Sequence, residues 1–108
     1  MSSYAVRPKA DEDLDGQAFY YAANASAERG HRFLVAAHHT FSLLASQPGI
    51  GWPFKLKRSE IEFLRVFPVA GFESILIVYV PLPGGVDSLR VIHGSRNIQA
   101  LFPREKPN

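Results

Sequence analysis

The pattern of hydrophobic and polar positions changes once along this 108-residue chain, close to Pro48. Before Pro48, apolar residues recur every three or four positions, which is the period of an amphipathic helix. After it, apolar residues alternate with polar ones or run together, as they do in strands. The pattern therefore predicts a helical first half and a β-rich second half, with a short candidate strand over residues 4–8 ahead of both.

The first half predicts two helices. An acidic run over residues 11–13 suits a helix N-terminus, because carboxylates are favourable at the positive end of the helix dipole. Ser26 is a candidate N-cap for the second helix, and residues 47–49 end that helix with a proline and a glycine. The apolar face of the first helix consists of Leu14, Ala18, Tyr21, Ala22 and Ala25. The apolar face of the second consists of Leu34, Ala37, His38, Phe41, Leu44 and Ala45.

The connection between these helices is short, which predicts an antiparallel hairpin. The facing residues are largely alanine, and alanine permits close approach of two helices. Gly16 lies inside the first helix and weakens it by about 1 kcal/mol relative to alanine.

The second half predicts four strands and a final helical turn. The β-branched and aromatic run over residues 75–80 is typical of a central strand that is covered on both faces. Pro53 places the first strand at an edge of the sheet, because proline cannot donate a ladder hydrogen bond. In chain order the predicted segments are strands over 52–57, 61–67 and 75–80, a turn over 81–87, a strand over 89–93 and a helical turn over 97–102.

Strands joined by short turns form an antiparallel meander. The predicted class is therefore α+β, with the N-terminal strand and the helical hairpin packed on one face of a small antiparallel sheet. The length predicts a single domain over residues 1–108.

Composition excludes several kinds of protein. The chain has no cysteine, so it has neither disulfides nor a thiolate zinc site. No run of about 18 apolar residues is present, so we expect no membrane-spanning helix. The N-terminus lacks the basic-then-apolar order of a secretion signal, and no glycine-rich phosphate loop is present. We expect a cytoplasmic protein without a cofactor.

Charge is unevenly distributed. Residues 1–50 hold four basic and five acidic residues, net −1, whereas residues 51–108 hold eight basic and five acidic residues, net +3. The second half can present a basic face to an acidic partner, or that face can simply be solvated. Three histidines lie on the second helix, but His31 and His38 are seven residues apart and His39 adds no suitable spacing. We therefore expect no metal site.

Residues 90–98 carry a family resemblance. The sequence Arg-Val-Ile-His-Gly-Ser-Arg-Asn-Ile resembles the C-terminal signature of ParE toxins, within the RelE/ParE superfamily of toxin–antitoxin systems. The resemblance extends over residues 4–102. It includes Asp13-Leu14, Phe33-Leu34, the pattern L-x-x-x-P-x-x-G from Leu44 to Gly51, Phe63-Leu64-Arg65 and Tyr79. Two positions depart from the family: Gly16 replaces a larger apolar residue, and Trp52 stands where arginine or lysine is common.

The resemblance implies a toxin held inactive by a cognate ParD-like antitoxin, with DNA contacted only indirectly through the antitoxin. ParE members of known target poison DNA gyrase by binding, whereas RelE relatives cut mRNA on the ribosome. A third alternative is a degenerate toxin that retains only antitoxin binding.

Ribonuclease chemistry needs a base, an acid and cations around one phosphate. The candidates are His93, Lys55, Lys57, Arg65, Arg90 and Arg96. No tyrosine follows Val80, and Phe102 can stack on a base but cannot give a proton. The set is incomplete, so we predict no catalytic residue.

Binding residues are predicted instead. The expected target-binding residues are Arg90, His93, Arg96, Asn97 and Phe102. Each arginine is either paired with a carboxylate at the sheet surface or open to a partner, and His93 either acts in chemistry or hydrogen-bonds its turn. The hairpin carries aromatics on more than one face, which predicts a groove for an antitoxin segment. The expected antitoxin-binding residues are Phe19, Tyr20, Arg29, Phe33 and Arg65.

Overall fold

A computed structural model describes residues 3–55 and 63–101 of the chain. Its elements are β1 (Ser3–Val6), α1 (Pro8–Asn24), α2 (Ala27–Ser46), β2 (Trp52–Pro53), β3 (Arg65–Val69), β4 (Phe72–Leu82), β5 (Gly85–His93) and α3 (Ile98–Leu101). The strands form one sheet in the order β1-β5-β4-β3-β2, and the two long helices pack on one of its faces. The α+β class predicted from the sequence is confirmed.

The helical hairpin forms as its sequence predicts, with only Ala25 and Ser26 between the helices. The Ser26 hydroxyl caps α2 by accepting a hydrogen bond from the Arg29 backbone N–H at 3.1 Å. α1 begins earlier than its acidic run, at Pro8, because the fixed φ of proline suits the first helical position.

The central strand β4 is covered on both faces, as predicted. Ile75, Ile77 and Tyr79 point into the core beneath the helices, whereas Val78 belongs to a second apolar cluster on the opposite face. This alternation is the two-residue period of a strand. The second cluster comprises Leu64, Val66, Val78, Ile92 and Ile98, with Phe54, Leu76 and Leu89 packed against it.

The sheet is mixed rather than purely antiparallel. The strand β1 pairs in parallel with β5, with Ser3 opposite Gly85 and Val6 opposite Ser88. A parallel partner needs a long crossover, and the hairpin together with the meander supplies it. The predicted meander of β3, β4 and β5 is antiparallel as expected.

Several strand ends differ from the sequence prediction. β2 ends at Pro53, and β3 begins at Arg65 because Phe63 adopts a left-handed φ of 62°. Residues 54–55 and 63–64 of the predicted strands over 52–57 and 61–67 are not in strands, and residues 56–57 and 61–62 lie outside the described residues. The turn between β4 and β5 contracts to Pro83 and Gly84, and Gly84 has the positive φ of 81° that favours glycine.

Within residues 3–55 and 63–101, no helix has the length and apolar character needed to cross a bilayer.

Two glycines of the hairpin make opposite stability predictions. A Cβ on Gly30 would lie 2.7 Å from the Ala18 carbonyl oxygen, whereas a Cβ on Gly16 meets nothing within 4 Å. We expect Gly30→Ala to lower the free energy of unfolding by about 1–2 kcal/mol, because overpacking outweighs the gain in helix propensity. Gly16→Ala should raise it by up to about 1 kcal/mol. Urea unfolding of both variants tests this, and equal effects at the two sites would contradict the assigned helix contact.

Candidate functional site

Asp13 joins α1 to the edge of β5. Its carboxylate accepts hydrogen bonds from Arg90 Nε at 2.7 Å, Arg90 Nη2 at 3.0 Å and the Val91 backbone N–H at 2.9 Å. The two side chains are only 14% and 15% exposed. The hydrogen bonds to Asp13 raise the pKa of Arg90 above its ordinary value. Arg90, an expected target-binding residue, is thus paired within the chain.

This contact lies where β1 stops covering the sheet. β1 reaches only Ser88 on β5, so the following residues of β5 face α1 instead of a strand. The side chain of Asp13 satisfies the Val91 N–H that a neighbouring strand would otherwise bind. An unpaired strand edge is thereby closed by a helix.

An open groove of about 340 Å³ runs beside this contact, and we name it the α1–β5 groove. Its helix wall carries residues spaced four apart, which share one helical face. The residues that line the groove are Glu12, Asp13, Gly16, Gln17 and Tyr20 on α1, and Val91, Ile92 and Arg96 on the other wall.

Arg96 is exposed, and it makes no ion pair with any residue in the described part of the chain. Its neighbour His93 is engaged locally, since the Ser95 backbone N–H donates to His93 Nδ1 at 3.2 Å. The Ser95 hydroxyl also lies 2.8 Å from this nitrogen. These contacts join the His93 ring to the turn that follows β5. Of the two alternatives for His93, the turn hydrogen bond is the one observed.

A second fixed point is the hydroxyl of Tyr79, which holds the loop after α2 against the sheet. It donates to the Pro48 carbonyl at 2.8 Å and accepts from the Gly51 N–H at 3.0 Å. Burial raises the pKa of Tyr79 above 10.0, although the Gly51 hydrogen bond and the Arg65 charge oppose that shift. A Cβ on Gly51 would collide with this hydroxyl.

Arg65 lies opposite Tyr79 in the ladder and serves the same loop. Its Nη1 donates to the carbonyl oxygens of Gly49 and Gly51. Arg65 was expected in both the antitoxin-binding set and the alternative ribonuclease set, and its guanidinium is occupied by backbone carbonyls.

Two of the remaining predicted target or ribonuclease residues, Lys55 and Asn97, lie in the described part of the chain. Lys55 is exposed beyond β2, and the Asn97 carbonyl accepts the Ala100 N–H at 3.1 Å where α3 begins. Lys57 and Phe102 lie outside the described residues. Within residues 3–55 and 63–101, no group of three or more metal-ligating side chains forms a cation site.

The predicted antitoxin-binding residues also separate. Phe19 and Tyr20 are 75% and 59% exposed on α1. Phe33 is fully buried in the core, so its side chain is not at the surface. Arg29 is half-buried, with its guanidinium 4.5 Å from the centroid of the Phe72 ring. Only part of the expected set is available to a partner.

Sequence reasoning did not assign roles to Asp13 and Gly51. Asp13 appeared only as one acid of a helix-capping run and as a family match, and its partner is 77 residues away. A polar Tyr79 in an otherwise apolar central strand was the available signal for the loop contact.

The fold of this chain is similar to one that is already known among solved structures. A solved structure of a chromosomal ParDE TA system from P. aeruginosa superposes with a TM-score of 0.66 at 18% identity. The superposition covers 86% of this chain and 96% of that one. No curated protein sequence matches the chain.

The sequence also matches, over residues 4–98, the family described as ParE toxin of type II toxin-antitoxin system, parDE. The chain belongs to the ParE toxin family.

Removal of the Tyr79 hydroxyl tests the loop contact. Tyr79→Phe leaves the Gly51 N–H and the Pro48 carbonyl without their partner, so we expect a loss of about 1–3 kcal/mol in the free energy of unfolding. The exposed Tyr20→Phe is the control and should change it by less than about 0.5 kcal/mol.

The pH dependence follows from the raised pKa of Tyr79. The folded chain binds the Tyr79 hydroxyl proton more tightly than the unfolded chain does. The stability that the protonated hydroxyl contributes is therefore fully present below pH 10 and is lost as the pH rises through the folded-state pKa. The difference in the free energy of unfolding between the unaltered chain and Tyr79→Phe should therefore become smaller above pH 10. Urea midpoints at a series of pH values measure it, and a widening difference would contradict the assignment.

Arg90 should behave as a structural residue. Arg90→Ala leaves the largely buried Asp13 carboxylate without its charge partner, so we expect a loss of about 2–4 kcal/mol in the free energy of unfolding. The matched control is Arg32→Ala, because Arg32 is exposed and lies 3.6 Å from Glu28. That control should lose no more than about 0.5 kcal/mol. Equal stability of the two variants in urea unfolding would refute the structural role.

Proposed function

We propose that this ParE-family toxin inhibits DNA gyrase by binding it in the cytoplasm, and that a cognate ParD-like antitoxin neutralises it. Family membership supports the toxin class, and the solved ParDE system provides the precedent for an antitoxin partner. DNA is contacted only through the antitoxin in this proposal, consistent with the modest net charge of +2.

The partners of the arginines within the fold favour a binding function over a catalytic one. Cleavage of RNA needs a base, an acid and cations assembled around one phosphate. Arg65 binds the loop after α2 and Arg90 binds Asp13, so each of these cations has a separate partner inside the fold. His93 is likewise engaged with Ser95. Three of the ribonuclease candidates, Arg65, Arg90 and His93, therefore each have a different partner within the fold, which supports binding rather than catalysis.

Arg96 is the predicted target-binding residue that supports the proposal most directly. Its guanidinium is exposed and makes no ion pair within the described ranges, so it can bind a carboxylate of a target protein. Exposed arginines of this kind are frequent among the residues that dominate the binding energy of interfaces.

The proposal is tested by supercoiling of relaxed plasmid by purified gyrase. The toxin should abolish supercoiling and accumulate cleaved DNA, and the antitoxin should restore activity. We expect Arg96→Ala to raise the concentration for half-inhibition about tenfold, which corresponds to about 1.4 kcal/mol of lost binding. Its free energy of unfolding should stay within about 1 kcal/mol of the unaltered value. The control Arg32→Ala should inhibit normally.

Other outcomes separate the alternatives. Primer extension on transcripts after induced expression detects an mRNA interferase, since cuts within codons with gyrase unaffected would refute the gyrase proposal. A chain that binds antitoxin but inhibits neither gyrase nor growth would be a degenerate toxin.

A further inference from the structure

Gly16 lies in the α1–β5 groove, and the fold does not require glycine at this position. A Cβ at this position meets nothing within 4 Å, and its backbone has no positive φ. Glycine inside a helix nevertheless costs about 1 kcal/mol relative to alanine. Glycine at position 16 therefore keeps the space beside the helix open, and packing within the chain does not require it.

That space suits one large side chain of another protein. The groove is open to solvent and has a volume of about 340 Å³, so a side chain can enter it from outside. Tyr20, one helical turn beyond Gly16, stands at the same wall and is 59% exposed, and its neighbour Phe19 is 75% exposed. Exposed aromatics beside a cleft are typical anchors of protein interfaces.

The charges of the groove indicate how the occupant lies. Arg96 on one wall and Glu12 on the other make no ion pair within residues 3–55 and 63–101, while Asp13 is neutralised by Arg90. A carboxylate of the occupant would therefore face Arg96. The acidic helix wall disfavours a phosphate backbone, so the charge pattern fits a peptide better than a nucleic acid.

We propose that the antitoxin inserts a large apolar side chain opposite Gly16 and pairs a neighbouring carboxylate with Arg96. This inference rests on the proposed function, because it needs an antitoxin. Since Arg96 is also the expected target contact, the bound segment covers the residue that the target would use. Neutralisation then occurs by direct occlusion of Arg96.

The test fills the groove. The variant Gly16→Leu is titrated with the small protein encoded next to the toxin gene. The control is Ala23→Leu, which adds the same side chain at an exposed position of α1 outside the groove. We expect Gly16→Leu to weaken binding by about tenfold or more while its thermal midpoint is unchanged or higher. Ala23→Leu should bind as the unaltered chain does. A merely structural glycine would give a lower midpoint instead.

A second variant and a second measurement keep the inference falsifiable. Arg96→Glu should weaken the same complex about tenfold or more, because it places two carboxylates together. Hydrogen exchange of the unaltered chain should show new protection over residues 12–20 and 91–96 in the complex. Unchanged binding by Gly16→Leu and Arg96→Glu, or protection elsewhere only, overturns this inference. Failure of the unaltered chain to bind the neighbouring protein overturns the proposed antitoxin partnership as well.

Discussion

The carboxylate of Asp13 is the contact on which the arrangement of α1 and the sheet depends. It satisfies a guanidinium and a backbone N–H of β5 at once, so it sets both the distance and the rotation of the helix against the strand edge. Arg90 is thereby withdrawn from the surface, and Gly16, one turn along α1, is held beside Arg96 across an open groove. Asp13 thus closes the strand edge and lies beside the candidate interface, while Ala10 and Leu14 of the same helix pack in the core.

Local sequence signals predicted most of the helices and strands, but they did not predict the long-range pairing of strands. The Ser26 cap, the helix end near Pro48 and the central strand follow from hydrogen bonding and periodicity within a few residues, and the structure contains them. The parallel pairing of β1 with β5 was not predictable, because it depends on how the whole chain returns. The start of β3 moved for a local reason, since the left-handed backbone of Phe63 interrupts the strand.

The candidate site was harder to predict for a physical reason. Alternation assigns a face to Arg65 or Arg90, but a long side chain can reach backbone carbonyls or a distant helix, as both do. Phe33 was expected at the surface, and the rotation of α2 places it in the core. Helix rotation and arginine partners are tertiary properties, so one sequence predicted the residue types of the site better than their exposure.

The distance along the chain between Asp13 and Arg90 has a consequence for synthesis. The partners are 77 residues apart, and Arg7 and Asp87, a second pair joining the N-terminal segment to β5, are 80 apart. The ribosome adds about 5–20 residues per second, so roughly 4–15 s separate the making of Asp13 from that of Arg90. The hairpin, whose contacts are local, can form during that interval. The wall of β5 against which α1 docks is made after both helices and the strands β3 and β4, so a nascent toxin acquires its α1–β5 surface later than its hairpin.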